Sequence, residues 1–576
     1  MMTPNTYLLN PKTIAQKQYE ALRMYFIEKK SGLEVAKTFG YTYRGFTTIV
    51  ANFRKTLRTT DEEMFFIARK KGRKKDKQIS QANQLIINLR KKYYSIEDIK
   101  VTLDGKGIKV SEKSIYSIIK NEGFSRLPRR INSIKNNIEP PGIKAETSVP
   151  LNFEYEKFKS TSAGILCLLP YIVKYGIVEI IEQSDYPETS QINKVSSILA
   201  FIALKASNIR RYSADNLWCM DRGSGLFAGL NVLPKSAWFS SYSHRVTPDM
   251  NRKFLKKLHN MFSSINLLSD TSNLDFTSIP YWGNNDHLEN NWSGKRNKSL
   301  SSMLAVLAHD PESGIIDYGD VNVVHKNQNA VVLEYLDFYG VHKDLKYLVF
   351  DSKFTNYENL CQLNKKGIKF ITIRRRGKNI IQRVNEIPDS QWKKIRVEIA
   401  GNKKRTIKIL DERVKLQGYD GDARQIIITG HGKIKPAILI SNDFELSTEN
   451  MVRKYTKRWI VEKAISEQIE FFHLNSVSSS MVIKVDFDLT MSIVTHNLFR
   501  LFARGLKRYA HFSDISIYEK FISNSAEISI ENDEIVVELK KKRNLPVILE
   551  TLKQFENFEY KFLEMKKLKF KGATYS

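Results

Sequence analysis

Apolar residues recur at helical spacing early in the chain and gather into short runs in its middle. Tyr19, Leu22, Phe26 and Ile27 give one apolar helical face. A break at Ser31-Gly32 leads into a short second helix with Val35, Ala36 and Phe39 inward, ended by Gly40. Thr42 is placed to cap a third helix, Arg44 to Arg58, whose outer face carries Arg44, Thr47, Thr48, Asn52 and Arg54. Three helices over 14–57 with a polar, basic outer face on the last read as a helix-turn-helix or as an ordinary helical hairpin. Residues 79–124 repeat the pattern. Ile79 to Tyr93 is a helix, Ser95 with Asp98 caps Ile96 to Leu103, and Gly105 and Gly107 turn the chain. Val110 returns to the core, Ser111 caps a helix through Asn121 with Ser114, Tyr116, Ser117 and Lys120 outward, and Gly123 stops it. A second unit of the same kind favours the helix-turn-helix reading of both.

Residues 131–150, with Asn136-Asn137 and Pro140-Pro141, read as a linker, and 151–265 as mostly helical around a loop at Asp221 to Gly225. From residue 266 the pattern changes to strands. Leu274 to Ile279, Met303 to Ala308 and Ile315 to Val323 are three. A helix from Asn329 to Tyr339, a strand from Tyr347 to Phe350, a helix from Asn356 to Asn364 and a strand from Ile368 to Ile373 follow. That order is the order of an RNase H-like domain, in which the first and fourth strands are neighbours. Asp275 on the first and Asp351 just past the fourth would therefore meet. Ile395 to Ile399, Arg405 to Leu410, Gln425 to Thr429 and Ala437 to Ser441 read as strands of an insertion. A helix over 450–472 then places Tyr455, Arg458 and Glu462 at i, i+3 and i+7 on one face, with Trp459, Ile465 and Ile469 burying the stripe.

Charge changes the picture. The 576 residues hold 92 Lys and Arg against 62 Asp and Glu, a formal net charge of +30. Such an excess describes a polyanionic partner, and nucleic acid fits better than a membrane because no amphipathic basic anchor stands out. The run Arg69 to Lys77 is a solvated linker or a segment that follows phosphates into a minor groove, and Arg126, Arg129 and Arg130 extend the basic surface. Cys167, Cys219 and Cys361 stand apart, so neither a zinc module nor a disulfide framework is readable and a reducing compartment is the default. The most apolar stretch, Gly164 to Val173, is roughly ten residues long, too short to span a bilayer, and reads as a buried helix. No signal peptide is readable at Met1 to Asn10, which points to a cytoplasmic, nucleoid-associated protein of a cell without a nucleus.

The segments Leu274-Asp275-Phe276-Thr277, Tyr347 to Ser352, and Tyr455 to Glu462 resemble the three catalytic blocks of insertion-sequence DDE transposases. The branch resembled has a Tyr-x-x-Arg-x-x-x-Glu signature and a β-rich insertion before the Glu. Ile438 to Asn442, and Asp488 through Asn497-Leu498, are similar to the same branch, and the phrase from Ser95 to Phe124 resembles the second helix-turn-helix of many bacterial DNA-binding proteins. The resemblance covers roughly 270–510. It implies that Asp275, Asp351 and Glu462 are catalytic residues holding two Mg²⁺ or Mn²⁺ ions per active site. It also implies metal-dependent cleavage and strand transfer at element ends, with double-stranded DNA (terminal inverted repeats and target) as partner and a homodimer in a synaptic complex. Arg458 would hold a phosphate and Tyr455 donate a hydrogen bond. The chain departs from the branch at Ile469, where Lys is usual; Lys463 and His473 do not occupy that position.

Other residues are weighed against plainer roles. Asp286, His287 and Glu289 form a polar loop near the site rather than ligands, and His309-Asp310 a turn. Arg374, Arg375 and Arg376 end the fifth strand as candidate DNA contacts; Trp282 and Trp292 are candidates for base stacking or for core packing. Ile528/Ile530 and Ile535/Val537/Leu539 form a hairpin. The expected fold is multidomain α+β: helix-turn-helix (1–60), basic linker (61–78), second helix-turn-helix (79–130), linker (131–150), helical region (151–265), RNase H-like α/β catalytic core (266–373), β-rich insertion (374–445), the rest of the core with the Glu helix (446–510), and a C-terminal region (511–576). DNA-binding candidates are Arg44, Thr48, Arg54, Ser114, Lys120, Arg374, Arg375, Tyr455 and Arg458. The rival readings are a non-catalytic DNA-binding regulator on an RNase H-like scaffold and a plain metal nuclease.

Overall fold

The computed structural model describes residues 13–59, 65, 82–83, 85–87, 89–90, 94–105, 108–121, 151, 153–209, 217–280, 290–293, 298–323, 325–340, 345–399, 403–432, 435–474 and 482–573. The basic run Arg69 to Lys77, the arginines 126, 129 and 130, the linker 131–150, Trp282, and Asp286, His287 and Glu289 lie outside these residues. The chain divides into two compact units, Met1–Gln81 and Ala82–Ser576.

The first unit is built on three helices, Ile14–Phe26, Gly32–Thr38 and Tyr43–Thr59. Thr13 and Ser31 cap the first two, and Thr42 Oγ1 accepts from Gly45 N at 3.1 Å at the start of the third. Gly40 takes φ +64°, which a side chain would oppose. Ala21, Leu22, Val35, Ala36, Phe46 and Val50 close the core. The inward face of the first helix is therefore turned from the one the sequence suggests: Ile27 lies past the helix end and is exposed, and Phe26 packs at the surface against Phe53 and under Arg54.

In the second unit the helices Ile96–Gly105 and Glu112–Asn121 pack through Ile99, Leu103, Ile115 and Ile119, with Ile86 and Leu89 before them. Ser95 and Asp98 form a reciprocal cap: Asp98 N donates to Ser95 Oγ, and Ser95 N donates to Asp98 Oδ2. β1 (Glu156–Ser160) is a strand in the stretch read as helical. It pairs antiparallel with β12 (Ala526–Ile530), more than 350 positions away, so the expected C-terminal hairpin of β12 and β13 (Glu534–Leu539) belongs to a sheet of five, β1-β12-β13-β15-β14. Here β14 is Glu559–Tyr560 and β15 is Lys566–Gly572. The buried segment 164–173 is not one helix but a 3₁₀ stretch, Ala163–Leu168, running into Leu169–Lys174. Nor is 221–225 a loop. Asp221 caps the helix Arg222–Phe227, and its glycines permit close packing: a Cβ on Gly223 would sit 2.1 Å from Ser160 Oγ, and one on Gly225 2.5 Å from the Asn231 carbonyl oxygen.

The large sheet positions the site. Its strands are β2 (Thr271–Pro280), β3 (Asn290–Ser293), β4 (Lys298–His309), β5 (Ile316–Val323), β6 (Tyr347–Phe350), β7 (Lys369–Ile373), β8 (Lys393–Ile399), β9 (Lys403–Lys415), β10 (Asp422–Thr429) and β11 (Ala437–Ser441). The order is β3-β4-β2-β6-β7-β11-β10-β9-β8, with β5 on β4. β2, β6 and β7 run parallel, and β4 and β5 antiparallel to their neighbours. The strands of 393–441 are not a separate layer, because β11 pairs with β7 and the same sheet continues. The run Ile426-Ile427-Ile428 is apolar throughout because both faces are covered. Ile426 and Ile428 pack with Met451, Val452 and Tyr455, while Ile427 packs with Val384 and, through its cluster, Trp392. The long helix Val482–Gly505 lies over β5 so closely that a Cβ on Gly319 would meet Ile493 Cδ1 at 2.4 Å.

Candidate active site

Asp275 lies mid-strand on β2, and the parallel register Leu274↔Phe350 brings the next residues, Asp275 and Asp351, to neighbouring positions. The adjacent aromatics fix this junction. Phe276 follows Asp275, Phe354 ends the 3₁₀ turn Ser352–Phe354 after Asp351, and the two rings stack with centroids 3.9 Å apart and planes 7° from parallel. Each aspartate also accepts a bond from the next residue's backbone: Phe276 N to Asp275 Oδ1 at 2.8 Å, and Ser352 N to Asp351 Oδ1 at 2.7 Å.

The third carboxylate arrives on a broken helix. The continuous helix expected over 450–472 is two, Thr448–Lys457 and Trp459–Glu470, with Arg458 at the junction. There Arg458 N bonds to the Tyr455 carbonyl and Val461 N to the Arg458 carbonyl, three residues back instead of four. The first helix is tied to the start of β2 by Lys454 Nζ to Thr271 Oγ1 at 2.7 Å, and Lys457 Nζ binds Glu312 at 2.6 Å. Glu462 stands in the first turn of the second helix.

Arg458, 5 % exposed, joins the acids: Nη1 donates to Asp275 Oδ2 at 2.6 Å and Nη2 to Glu462 Oε1 at 2.8 Å. Its guanidinium carbon is 5.5 Å from the centre of the Tyr455 ring. Burial pushes the Asp275 carboxyl up to about 6; Arg458 and the Phe276 N–H pull it down, and Asp351 and Glu462 push it further up. Burial works against the Arg458 charge too, but Asp275, Tyr455, Glu462 and Asp351 together hold its pKa above the usual value. Burial raises the Tyr455 hydroxyl to about 12, so it is a protonated donor at neutral pH. Two carboxylates thus bond one guanidinium and a third, Asp351, lies near enough for its charge to act on both Asp275 and Arg458, an excess of negative charge that a divalent cation would relieve. Their oxygens are hard donors suited to Mg²⁺ or Mn²⁺. The oxygens of Asp275, Asp351 and Glu462 are not gathered within 4.8 Å of one another; among the described residues only Glu467, His496 and Asp514 offer ligand atoms that close.

The other candidates fall on two kinds of surface. Arg44, Thr48, Arg54, Ser114 and Lys120 are exposed on the outer faces of their helices. Thr48 Oγ1 donates to the Arg44 carbonyl at 2.9 Å, leaving its lone pairs outward, and Ser114 pairs with the capping Ser111. Of the arginines after β7, Arg374 turns inward to Gln425 Oε1 at 2.7 Å, Arg376 bonds the Pro436 carbonyl at 2.9 Å, and Arg375 is exposed. Ile469 is half-buried against the main core. His309 ends β4, and Asp310 organises the following turn by accepting from the backbone of Ser269, Glu312 and Ser313. The Glu467–His496–Asp514 group was not legible in the sequence; its one trace is Thr495-His496-Asn497, a polar step inside an apolar helix. Among the described residues no helix is long and apolar enough to cross a membrane.

Residues 271–498 match the family described as a transposase DDE domain. Among solved structures, a piggyBac transposase synaptic complex with hairpin DNA matches over 59% of this chain and 78% of that chain, at 12% identity and a TM-score of 0.28. No curated protein matches the chain.

Proposed function

We infer that this chain, whose residues 271–498 match a transposase DDE domain, is a DNA transposase that cuts and joins DNA by metal-dependent phosphoryl transfer at Asp275, Asp351 and Glu462. The observation that supports the assignment is the parallel register of β2 and β6, which sets Asp275 beside Asp351; Arg458 adds a link from Asp275 to Glu462. Asp275 and Asp351 would be the central ligands and Glu462 would complete the set. Two bound Mg²⁺ or Mn²⁺ ions would supply activation of the attacking water or 3′-hydroxyl and stabilisation of the leaving oxygen. The chain's own residues do the rest. Arg458 spends both Nη groups on Asp275 and Glu462 in this state, and its planar fork would turn to a phosphate oxygen pair once metal ions take those carboxylates; the Tyr455 ring lies beside it. Tyr455 keeps its proton at neutral pH and would donate a hydrogen bond to the DNA backbone. No covalent protein–DNA intermediate is needed, so no Ser or Tyr is assigned as nucleophile. Arg44, Thr48, Arg54, Ser114 and Lys120 would engage the element ends, and Arg375 the DNA near the site. A DNA-bound dimer in a prokaryotic nucleoid is the working assembly this reading expects.

Asp351→Asn tests the assignment. It is expected to abolish Mg²⁺-dependent cleavage of element-end DNA while leaving gel-shift affinity within about twofold, because one uncharged ligand breaks the metal site and no DNA contact. Equal loss of cleavage and binding would make Asp351 a structural residue and overturn the assignment. Assaying end joining beside cleavage separates a transposase active site from that of a plain nuclease.

A further inference from the structure

Behind the Glu462 helix lies a largely buried network of four ionisable side chains. His496 Nδ1 is 2.6 Å from Asp514 Oδ2, and His496 Nε2 is 3.0 Å from the Gly314 carbonyl oxygen. Arg500, one turn after His496 on the same helix, donates from Nη2 to the other oxygen of Asp514 at 2.6 Å. Glu467 comes within 3.9 Å of His496 Nδ1. Asp514 and His496 are 0 % and 1 % exposed. A carbonyl oxygen can only accept. Burial works against the Asp514 charge, but His496 and Arg500 hold its carboxyl below the usual range, so it also only accepts. Both ring nitrogens of His496 thus face oxygen acceptors, so the ring is pinned from two sides. Asp514 is held in turn by His496 and Arg500, one on each oxygen.

The network joins three parts of the fold that bear on the site. Glu467 is five residues after Glu462 on the helix Trp459–Glu470, so fixing it sets both the rotation and the axial position of that helix. Gly314 belongs to the turn between β4 and β5, and β4 pairs with β2 at Leu307↔Asp275. His496 and Arg500 belong to the long helix Val482–Gly505, packed on β5. The His496 ring, 3.0 Å from the Gly314 carbonyl and 3.9 Å from Glu467, thus lies between the helix that carries Glu462 and the sheet that carries Asp275.

We propose that Glu467, His496, Arg500 and Asp514 form a positioning network that holds Glu462 at its distance from Asp275 and Asp351, so that the three can share metal ions. The proposal rests on Glu462 being a metal ligand. It is tested on the full chain by titrating Mn²⁺ binding with electron paramagnetic resonance, alongside circular dichroism and gel shifts with element-end DNA. His496→Gln, and Glu467→Gln as the milder variant should the first misfold, are expected to weaken Mn²⁺ binding about tenfold with end-DNA affinity unchanged. A role confined to stability would lower the melting temperature and leave Mn²⁺ affinity of the folded protein alone, and that result overturns the proposal. Glu462→Gln is the control. If it binds Mn²⁺ like the wild type, the ligand assignment falls; if it alone loses Mn²⁺, the assignment stands and the positioning role falls. Elemental analysis showing a stoichiometric metal that survives Glu462→Gln and is lost in His496→Gln would replace the network by a second metal site and also overturn the proposal.

Discussion

His309 ends β4 with its ring 2 % exposed and its Nδ1 without a hydrogen-bond partner. Burial, with His496 and Arg500 nearby, lowers its pKa to about 3 from an ordinary value near 6.5. The folded protein therefore refuses a proton that the unfolded chain accepts. Between pH 6.5 and 3 the unfolded state binds more protons, so stability is lost as the pH falls through that window. From pH 6.5 to 4 the loss from this one ring is about 3 kcal/mol. Urea unfolding at a series of pH values is expected to show that slope, and His309→Gln to flatten it whatever it does to stability at pH 7. A slope unchanged by the substitution would assign the acid sensitivity to other groups. The same argument explains how this histidine, which the sequence offers as part of a turn, lies buried near Arg500: its ring is kept neutral.

At the scale of elements, the site depends on a junction between a strand and a 3₁₀ turn. The stacked rings of Phe276 and Phe354 lock the turn that carries Asp351 onto the strand that carries Asp275. Phe354→Ala removes a fully buried ring and is expected to cost about 3–4 kcal/mol of stability. Below its melting point the variant should lose at least tenfold in cleavage with end binding intact, since Asp351 loses its backstop; full activity of the folded variant would show that the stack serves stability alone. The strands β2 and β6 were legible because short apolar runs ending at polar turns admit few other readings, and the pairing of Asp275 with Asp351 followed from strand order. The break at Arg458 was not legible, because the spacing of Tyr455, Arg458 and Glu462 is continuous helical spacing and nothing in it marks a tightened turn. Strand β1 escaped because its partner is supplied from the far end of the chain, and Asp221 to Gly225 because glycines that permit close packing look like glycines that permit a turn. Asp514 carries no signal at all in its own neighbourhood; only the fold brings it to His496. Local periodicity reports what an element is, and long-range pairing decides what it touches.

At the scale of the whole molecule the net charge of +30 is the dominant fact, and its use depends on which cations are spent internally. Arg458, Arg424 and Arg500 are held by carboxylates that offset their charge, whereas Arg374 keeps its charge but has its guanidinium turned to the neutral Gln425 amide in this state. Arg44 and Arg375 are exposed. Each exposed cation that meets a phosphate releases counterions, and the logarithm of affinity falls against the logarithm of salt by about 0.9 per phosphate contact. End-DNA binding by the full chain should therefore weaken steeply with salt. Arg44→Ala should reduce the slope by about one contact, whereas Arg374→Ala should leave it unchanged and act, if at all, through the β-strands it braces. Fluorescence anisotropy with end DNA across a salt series measures both. A slope that drops for Arg374→Ala and not for Arg44→Ala would mean that the inward arginine swings out to the DNA. The first unit would then read bases or serve another partner, and the division of cations between interior and surface would have to be redrawn.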